Sequence, residues 1–232
     1  MQTEIEFKNI KKSYGGKVVM EGFNLTVEKG DFVTIIGSSG CGKTTALKMV
    51  NGLIEPDVGE ILIEGENIRS KDQTQLRRNI GYAIQGSVLF PHMTVEQNIS
   101  YVPNLINGRD KAKTRAAVSK WMKIVGLDEE LKERYPSELS GGQQQRVGIA
   151  RALAASPEIL LMDEPFGAVD EITRAQLQEE LRRIYEQTKI TVLFVTHDIG
   201  EALKLGTKVL VMDHGEIQQY APPEELLRRP AT

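Results

Sequence analysis

Residues 37–45 are Gly-Ser-Ser-Gly-Cys-Gly-Lys-Thr-Thr, and they lie between an apolar run at residues 32–36 and a segment with helical spacing at 46–51. The stretch matches Gly-x-x-x-x-Gly-Lys-Ser/Thr, in which glycines let backbone N–H groups wrap around a phosphate while the next helix turns its positive dipole end toward the anion. The alternative is a Gly/Ser-rich turn in an ordinary strand–helix unit. Because a buried strand precedes the loop and a helix follows it, the stretch predicts a phosphate-binding loop in an α/β fold.

Side chains of this loop have predicted roles. Lys43 would reach the β- and γ-phosphates, the hydroxyl of Thr44 would bind Mg²⁺, and Thr45 would hydrogen-bond a phosphate oxygen. Cys41 is the single cysteine, so no internal disulfide forms, which suits a reducing compartment. We interpret Cys41 as a small residue that fits the loop. The predicted nucleotide-binding residues here are Gly37, Ser38, Ser39, Gly40, Cys41, Gly42, Lys43, Thr44 and Thr45.

The composition excludes several classes of protein. The chain has 232 residues, of which 40% are hydrophobic and 26% are charged, and this predicts one substantial globular unit. The net charge is −3 with both signs interspersed, so we expect no nucleic-acid partner. No apolar stretch approaches the roughly 18 residues that cross a bilayer, and the polar N-terminus lacks the features of a signal peptide. We therefore expect a cytoplasmic location.

A second apolar run, residues 159–162, ends in the acidic pair Asp163 and Glu164. In P-loop ATPases a carboxylate at the end of such a strand holds Mg²⁺ through water, and we predict this role for Asp163. Glu164 is then placed to act as general base on the attacking water. The alternative for an isolated acidic pair is two solvated turn residues before Pro165. The phosphate loop elsewhere in the chain favours the metal site.

Polar or aromatic residues at other strand ends are further candidates. Tyr14 precedes a glycine turn, where its ring could stack on adenine, although a partly exposed turn tyrosine is the commoner explanation. Gln85 ends a buried strand, which places it either in a site or at a simple strand end. His197 follows the apolar strand at 190–195 and could donate a hydrogen bond to a γ-phosphate. The alternative is a residue at a helix N-terminus, with Asp198 as the cap. The histidines at 92 and 214 have no second ligand at metal spacing, so we interpret both as structural or surface residues.

The pattern from residue 94 to about residue 153 is helical and predicts an all-helical insertion. Thr94 and Gln97 predict a capping box, and residues 111–125 repeat apolar side chains at helical spacing. A further helix begins near Gly141, with Ser140 as its cap.

Two adjacent glycines, Gly141 and Gly142, open this last helix, although glycine lowers helix propensity. Bare backbone N–H groups that approach an anion would explain them, with the hydroxyl of Ser140 as an addition. The chain therefore contains two helix starts that are each able to hold phosphate. Either there are two ligands or one ligand is shared.

Together these motifs resemble the ATP-binding cassette family, the nucleotide-binding subunits of ABC transporters. The resemblance rests on residues 37–44, 139–143, 159–164 and His197 and covers nearly the whole chain. It implies a signature motif that contacts ATP in trans, with Ser140, Gly141, Gly142 and Gln143. The other roles that it implies are Gln85 as the Q-loop residue for catalysis and Mg²⁺, His197 as the switch histidine, Tyr14 as the adenine-stacking ring and Asp170 as the D-loop residue.

The resemblance implies an α/β fold with a P-loop NTPase core and a mostly parallel sheet, an N-terminal antiparallel β subdomain and an inserted α-helical subdomain. A single ABC ATPase domain would span residues 1–232. Its nucleotide-binding core would comprise residues 1–86 and 158–232, and its helical subdomain residues 87–157. The implied cofactors are ATP and Mg²⁺. The implied assembly is a head-to-tail homodimer, or a paired cassette, with two ATP molecules between the subunits.

Finer motifs resemble importers of quaternary-ammonium osmoprotectants such as glycine betaine, carnitine and choline. Two departures are Gly86, where a second glutamine is usual, and Val169-Asp170-Glu171, where Leu-Asp-Pro is usual. Larger members also carry C-terminal regulatory domains. The motifs that carry this resemblance are at residues 51–55, 65–68, 76–78, 89–94, 134–136, 143–146 and 172–174.

This kinship implies partners and a location. The partners are integral membrane permease subunits, whose coupling helix would contact residues 90–95, and indirectly an extracytoplasmic substrate-binding protein. The location is peripheral, at the cytoplasmic face of the plasma (inner) membrane. Two alternatives stay open: an importer ATPase for another cargo, such as an amino acid or an inorganic anion, and a soluble non-transport ABC ATPase.

Overall fold

The structure is a computed structural model that describes most of the chain. Of the positions singled out by sequence, Gln85, Gly86 and Val169 lie outside the described residues. The described residues are 2–84, 89–108, 110–167 and 170–231.

The structure has strands and helices close to those that the sequence predicts. The strands are β1 (Thr3–Tyr14), β2 (Lys17–Glu28), β3 (Phe32–Gly37), β4 (Val58–Ile63), β5 (Glu66–Asn67), β6 (Ile80–Ala83), β7 (Ile159–Asp163), β8 (Thr191–Val195), β9 (Lys208–Asp213) and β10 (Glu216–Ala221). The helices are α1 (Lys43–Val50), α2 (Gln73–Asn79), α3 (Val95–Asn107), α4 (Lys111–Ile124), α5 (Gly141–Leu153), α6 (Glu171–Thr188), α7 (Ile199–Leu205) and α8 (Pro223–Arg228).

The chain divides into two compact units. The first comprises Met1–Arg77 with Lys189–Thr232, and the second comprises Arg78–Thr188. The sequence places subdomain boundaries after residues 86 and 157 instead, and that division stays a prediction.

An antiparallel sheet of order β2-β1-β4-β5 forms part of the first unit. Alternation along β1 turns Ile5 and Phe7 inward, and a register shift after Phe7 turns Ile10 inward as well, so that each is at most 1% exposed. The ring of Phe7 meets that of Phe23 edge to face at 5.5 Å between centroids, an arrangement favoured by aromatic quadrupoles. The N-terminal antiparallel β subdomain that the resemblance implies is therefore present.

The first unit also contains β10, β9, β3 and β8 as neighbouring strands in that order. β3 pairs in parallel with both β8 and β9, whereas β10 is antiparallel to β9. β8 is buried throughout, and so is β3 up to Ile36, which explains why their sequences are continuous apolar runs. Thr34 is the polar exception in β3, and its hydroxyl donates to the carbonyl of Ala202 at 3.1 Å.

In the second unit, β6 pairs in parallel with β7, and helices α3, α4 and α5 pack against one another. The predicted capping box of α3 is confirmed. The Thr94 hydroxyl accepts from the Gln97 N–H at 3.3 Å, and the Gln97 side chain accepts from the Thr94 N–H at 2.9 Å. Among the described residues, no helix combines the length and the apolarity that a membrane span needs.

One predicted boundary is wrong. The helix after the glycine loop was expected from residue 46, but α1 begins at Lys43. Gly42, with φ of 105°, is the N-cap, and its carbonyl accepts from the N–H of Ala46 at 2.9 Å. Lys43 and the two threonines after it therefore form the first helical turn, although their side chains were assigned to the loop.

Candidate functional site

The phosphate loop begins where β3 leaves the sheet. Gly37 has φ of 153°, and a Cβ at this position would lie 2.0 Å from the carbonyl oxygen of Met212 on β9. A side chain is excluded there because the two backbones touch. The strand therefore ends in a turn that only glycine fits, and residues 38–40 after it are exposed.

Lys43 is the charged residue of this loop. It is 8% exposed, and its ammonium donates to the carbonyl oxygens of Gly37 at 2.8 Å and of Ser38 at 2.9 Å. The cap of α1 makes no side-chain hydrogen bond, and the first turn of α1 contains no acidic residue. Backbone N–H groups, a helix N-terminus and a fixed cation thus converge without a competing carboxylate in that turn, which fits a bound phosphate.

Two further loop residues have defined contacts. The Ser38 hydroxyl donates to the carboxylate of Asp213 at 2.7 Å, which holds the exposed part of the loop to the end of β9. Cys41 is 3% exposed and its N–H donates to the Ser38 carbonyl at 3.3 Å. This burial agrees with the interpretation of Cys41 as a small packing residue.

His197 lies at the carboxyl end of β8, beside the phosphate loop strand. Ile35 of β3 pairs with Val195 of β8, so Gly37 and His197 each follow this pair by the same distance along parallel strands. The structure thus brings the histidine and the phosphate loop to one edge of the sheet. Asp198 caps α7 by accepting from the N–H of Glu201 at 3.1 Å, as expected under the alternative interpretation.

Tyr14 is the last residue of β1 and is 45% exposed. The glycines after it both have positive φ and form the turn into β2. The ammonium of Lys12 lies 5.4 Å from the centroid of the tyrosine ring. An exposed ring at a strand end agrees with the predicted place for a base-stacking residue, and its role stays a prediction.

The acidic pair belongs to the second unit. Asp163 is the last residue of the buried strand β7 and is 8% exposed. Burial, and then the negative charge of Asp163, raises the pKa of the Tyr82 hydroxyl to about 12. Glu164 follows with φ of 46°, a left-handed conformation that is uncommon for a residue with a side chain and recurs at functional sites.

Ser140 is the N-cap of α5, as predicted, and Gly141 and Gly142 open the helix. The Ser140 hydroxyl accepts from the N–H of Gln143 at 3.2 Å, and the Gln143 side chain accepts from the Ser140 N–H at 2.9 Å. This second capping box was missed, although the Ser-x-x-Gln spacing is its signal. Because the Ser140 hydroxyl acts as an acceptor here, its proton remains for donation to an anion.

Thr173 joins the start of α5 to Asp170, and sequence reasoning missed it. The Thr173 hydroxyl donates to the Asp170 carboxylate at 2.7 Å, and its N–H donates to the same carboxylate at 3.0 Å. A Cβ on Gly142 would lie 2.7 Å from the methyl group of Thr173. Gly142 and Asp170 therefore share one neighbour within the second unit. The contact joins residues far apart in sequence, so no local pattern indicated it.

The predicted residues are therefore found in two groups. The first unit contains Tyr14, His197 and the loop at 37–45, and the second contains the signature and acidic residues. The second group comprises Ser140, Gly141, Gly142, Gln143, Asp163, Glu164 and Asp170.

A glycine loop with an enclosed lysine, placed between a buried parallel strand and a helix, defines a P-loop nucleotide-binding domain. The family model described as ABC transporter matches residues 20–167. The chain belongs to the ABC transporter family.

Relatives and a solved structure agree with this assignment. The choline transport ATP-binding protein OpuBA of Bacillus subtilis is 50% identical over 98% of this chain and 60% of its own length. The glycine betaine/carnitine/choline transport ATP-binding protein OpuCA of the same organism is 51% identical, with the same two coverages of 98% and 60%. This chain thus spans about 60% of the length of these curated relatives.

A solved dimeric ATP-binding cassette, in a post-hydrolysis state with ADP and Pi, is 33% identical and covers 94% of this chain and 98% of its own, with a TM-score of 0.84. The predicted fold class is confirmed by this likeness.

Proposed function

We propose that this chain is the ATP-hydrolysing subunit of an ABC importer. The observation that carries the proposal is the phosphate loop, in which the buried ammonium of Lys43 is held by the carbonyls of Gly37 and Ser38 at the start of α1. Membership of the ABC transporter family and relatives named as transport ATP-binding proteins support it.

Within the first unit, the proposed roles follow from chemistry. Lys43 and the N–H groups of the loop bind the β- and γ-phosphates, and Thr45 hydrogen-bonds a phosphate oxygen. The exposed ring of Tyr14 stacks on the base. His197, at the neighbouring strand end, donates a hydrogen bond to the γ-phosphate.

Mg²⁺, when bound, offsets the charge on the phosphates during phosphoryl transfer. Thr44 through its hydroxyl, Asp163 through water and Gln85 through its amide oxygen are the residues proposed to hold it. Glu164 accepts a proton from the attacking water as general base. The burial of Asp163 at the end of β7 supports its role, since a buried carboxylate is uncommon unless it binds a cation or hydrogen-bond donors.

The second helix start is proposed to complete the site of another copy. Ser140, Gly141 and Gly142 offer a hydroxyl proton and two backbone N–H groups, and Gln143 fixes their geometry through the capping box. Asp170 at the head of α6 is the proposed D-loop contact. One ATP is then shared by two chains, so the homodimer holds two. The dimeric state of the solved cassette with ADP and Pi supports this arrangement.

Substitution Glu164→Gln tests the proposal. It should abolish hydrolysis while ATP still binds, so size-exclusion chromatography with ATP should show a stable dimer. Glu179→Gln on the exposed face of α6 is the matched control and should hydrolyse ATP at the wild-type rate. A Glu164→Gln chain that stays monomeric with saturating ATP would contradict the shared site, and a wild-type chain that does not bind ATP would contradict the function itself.

The proposed cargo is a quaternary-ammonium osmoprotectant, and the names of the two relatives support it. The proposed partners are integral membrane permease subunits, which would contact residues 90–95 of this chain, and, indirectly, an extracytoplasmic substrate-binding protein. The chain would act at the cytoplasmic face of the plasma (inner) membrane. Uptake of labelled betaine, choline and carnitine by cells with and without this subunit, at high and low osmolarity, tests the cargo. Uptake of an amino acid or an inorganic anion instead would contradict the proposed cargo. Stable recovery of the chain on DNA or ribosomes would contradict a role in transport.

A further inference from the structure

Residue 57 fixes the end of β1 through three hydrogen bonds. The Asp57 carboxylate accepts from the ammonium of Lys12 at 2.8 Å and from the N–H of Ser13 at 2.6 Å. The N–H of Asp57 donates to the carbonyl of Lys11 at 2.8 Å. One residue therefore holds the three positions that directly precede Tyr14.

The ion pair also determines what lies on the tyrosine ring. The ammonium of Lys12 stands 5.4 Å from the ring centroid, and the Lys12 side chain is only 14% exposed. A cation over an aromatic ring is attracted to its face, so it orients the ring and occupies that side. Tyr14 nevertheless stays 45% exposed, which leaves ring surface for a flat ligand.

The carboxylate is ionised at neutral pH. Its hydrogen bonds from Lys12 and from the Ser13 backbone, in that order, hold the pKa of Asp57 below its ordinary value of 3.8. The Asp57 carboxylate is therefore negatively charged beside Lys12 under the conditions in which nucleotide binds.

Asp57 also lies in the segment that connects α1 to β4, and α1 starts with Lys43. This segment is tied to α1 because the N–H of Leu53 donates to the carbonyl of Lys48 at 2.9 Å. The strand end that presents Tyr14 and the helix that begins at the phosphate loop are thus joined through one short stretch of chain.

We propose that Asp57 and Lys12 are positioning residues that hold the Tyr14 ring for stacking on a purine base, and that they contribute to affinity for the base and not for the phosphates. This inference rests on the proposed function, since it requires ATP to bind at the phosphate loop. Affinity for ligands that contain the base should depend on the Lys12–Asp57 pair, whereas affinity for inorganic triphosphate should not. A purely structural ion pair would affect both affinities alike.

Calorimetric titration of the full chain with ATP and with inorganic triphosphate tests the proposal. Asp57→Asn keeps an acceptor for the Ser13 N–H but removes the charge, and Lys12→Met removes the cation at similar length. Each should weaken ATP binding about three- to tenfold and leave triphosphate binding unchanged. Lys12→Arg keeps the cation and should bind ATP with the affinity of the wild-type chain. In a Tyr14→Ala background, Asp57→Asn should have no further effect.

A matched control exists at the neighbouring position of β1, where Lys11 pairs with Glu21 of β2. Lys11 and Glu21 form an exposed ion pair at 2.6 Å, and Glu21→Gln should leave both affinities unchanged. The inference is overturned if Asp57→Asn weakens ATP and triphosphate equally, or weakens neither. If the wild-type chain binds triphosphate but not ATP, or binds neither, the proposed function fails instead.

Discussion

Gly142→Ala tests how tightly the signature helix is packed. A Cβ at this position would lie 2.7 Å from the Thr173 methyl group, whereas ordinary contact between carbons begins near 3.5 Å. The methyl group cannot rotate away freely because the Thr173 hydroxyl is held by Asp170 at 2.7 Å. Either the start of α5 or the start of α6 must therefore move by about 1 Å.

The expected cost follows from two opposing effects. Overpacking costs about 1–3 kcal/mol, while alanine in place of glycine in a helix gains up to about 1 kcal/mol, so Gly142→Ala should lower the free energy of unfolding by about 0–2 kcal/mol. With Thr173→Ser, only atoms at 3.9 Å remain near the new Cβ, which is ordinary contact. In that background Gly142→Ala should stabilise by up to about 1 kcal/mol, which makes the coupling about 1–3 kcal/mol.

Urea unfolding of the four chains in this cycle measures the coupling. Trp121, the single tryptophan, is 3% exposed in α4 of the same unit, so its fluorescence follows the relevant transition. ATP hydrolysis should fall with Gly142→Ala, because the N–H groups that we propose to bind the phosphate are displaced. It should recover in part with Thr173→Ser. Additivity of the two substitutions within about 0.5 kcal/mol would refute the packing argument.

Two further predictions concern charge. Lys43→Met should weaken ATP binding about 10- to 100-fold, because a hydrogen-bonded cation is lost from the loop. Calorimetric titration measures this, with Glu179→Gln as a control whose ATP affinity should equal that of wild type. An affinity of Lys43→Met within about twofold of wild type would contradict the role of Lys43. Thr173 donates hydrogen bonds to Asp170, first from its backbone and then from its side chain, and they hold the pKa of Asp170 below its ordinary value of 3.8. The ionised Asp170 carboxylate, as the cap of α6, therefore stabilises the fold above this pH. This contribution is lost as the pH falls through the lower pKa of the folded state. Asp170→Asn keeps a cap that does not titrate, so urea unfolding should show a smaller loss of stability for it than for wild type between about pH 5 and pH 2, and parallel losses would contradict this.

Local patterns were sufficient for part of this structure. The apolar runs predict β3 and β8, and the glycine loop after β3 carries its chemistry in consecutive residues. The Ser140–Gln143 capping box could also have been predicted from its Ser-x-x-Gln spacing, although it was missed. The start of α1 was misplaced because Gly42 caps the helix inside the motif itself.

Contacts between distant positions could not be predicted in this way. Asp57 meets Lys12 across 45 positions of the chain. Thr173 meets Gly142 because α6 begins beside α5, and no periodicity encodes that meeting. Such pairs depend on how strands and helices pack, so they become visible only in the three-dimensional structure.

The central claim is that one ATP is shared between the phosphate loop of one copy and the signature segment of another. A Lys43→Met chain lacks a working loop but keeps Ser140, and a Ser140→Arg chain has the reverse defect. Each alone should neither dimerise with ATP nor hydrolyse it. Mixed, they form one complete site per heterodimer, so ATP-dependent dimers and hydrolysis should appear. A mixture no more active than its separate components would contradict the claim.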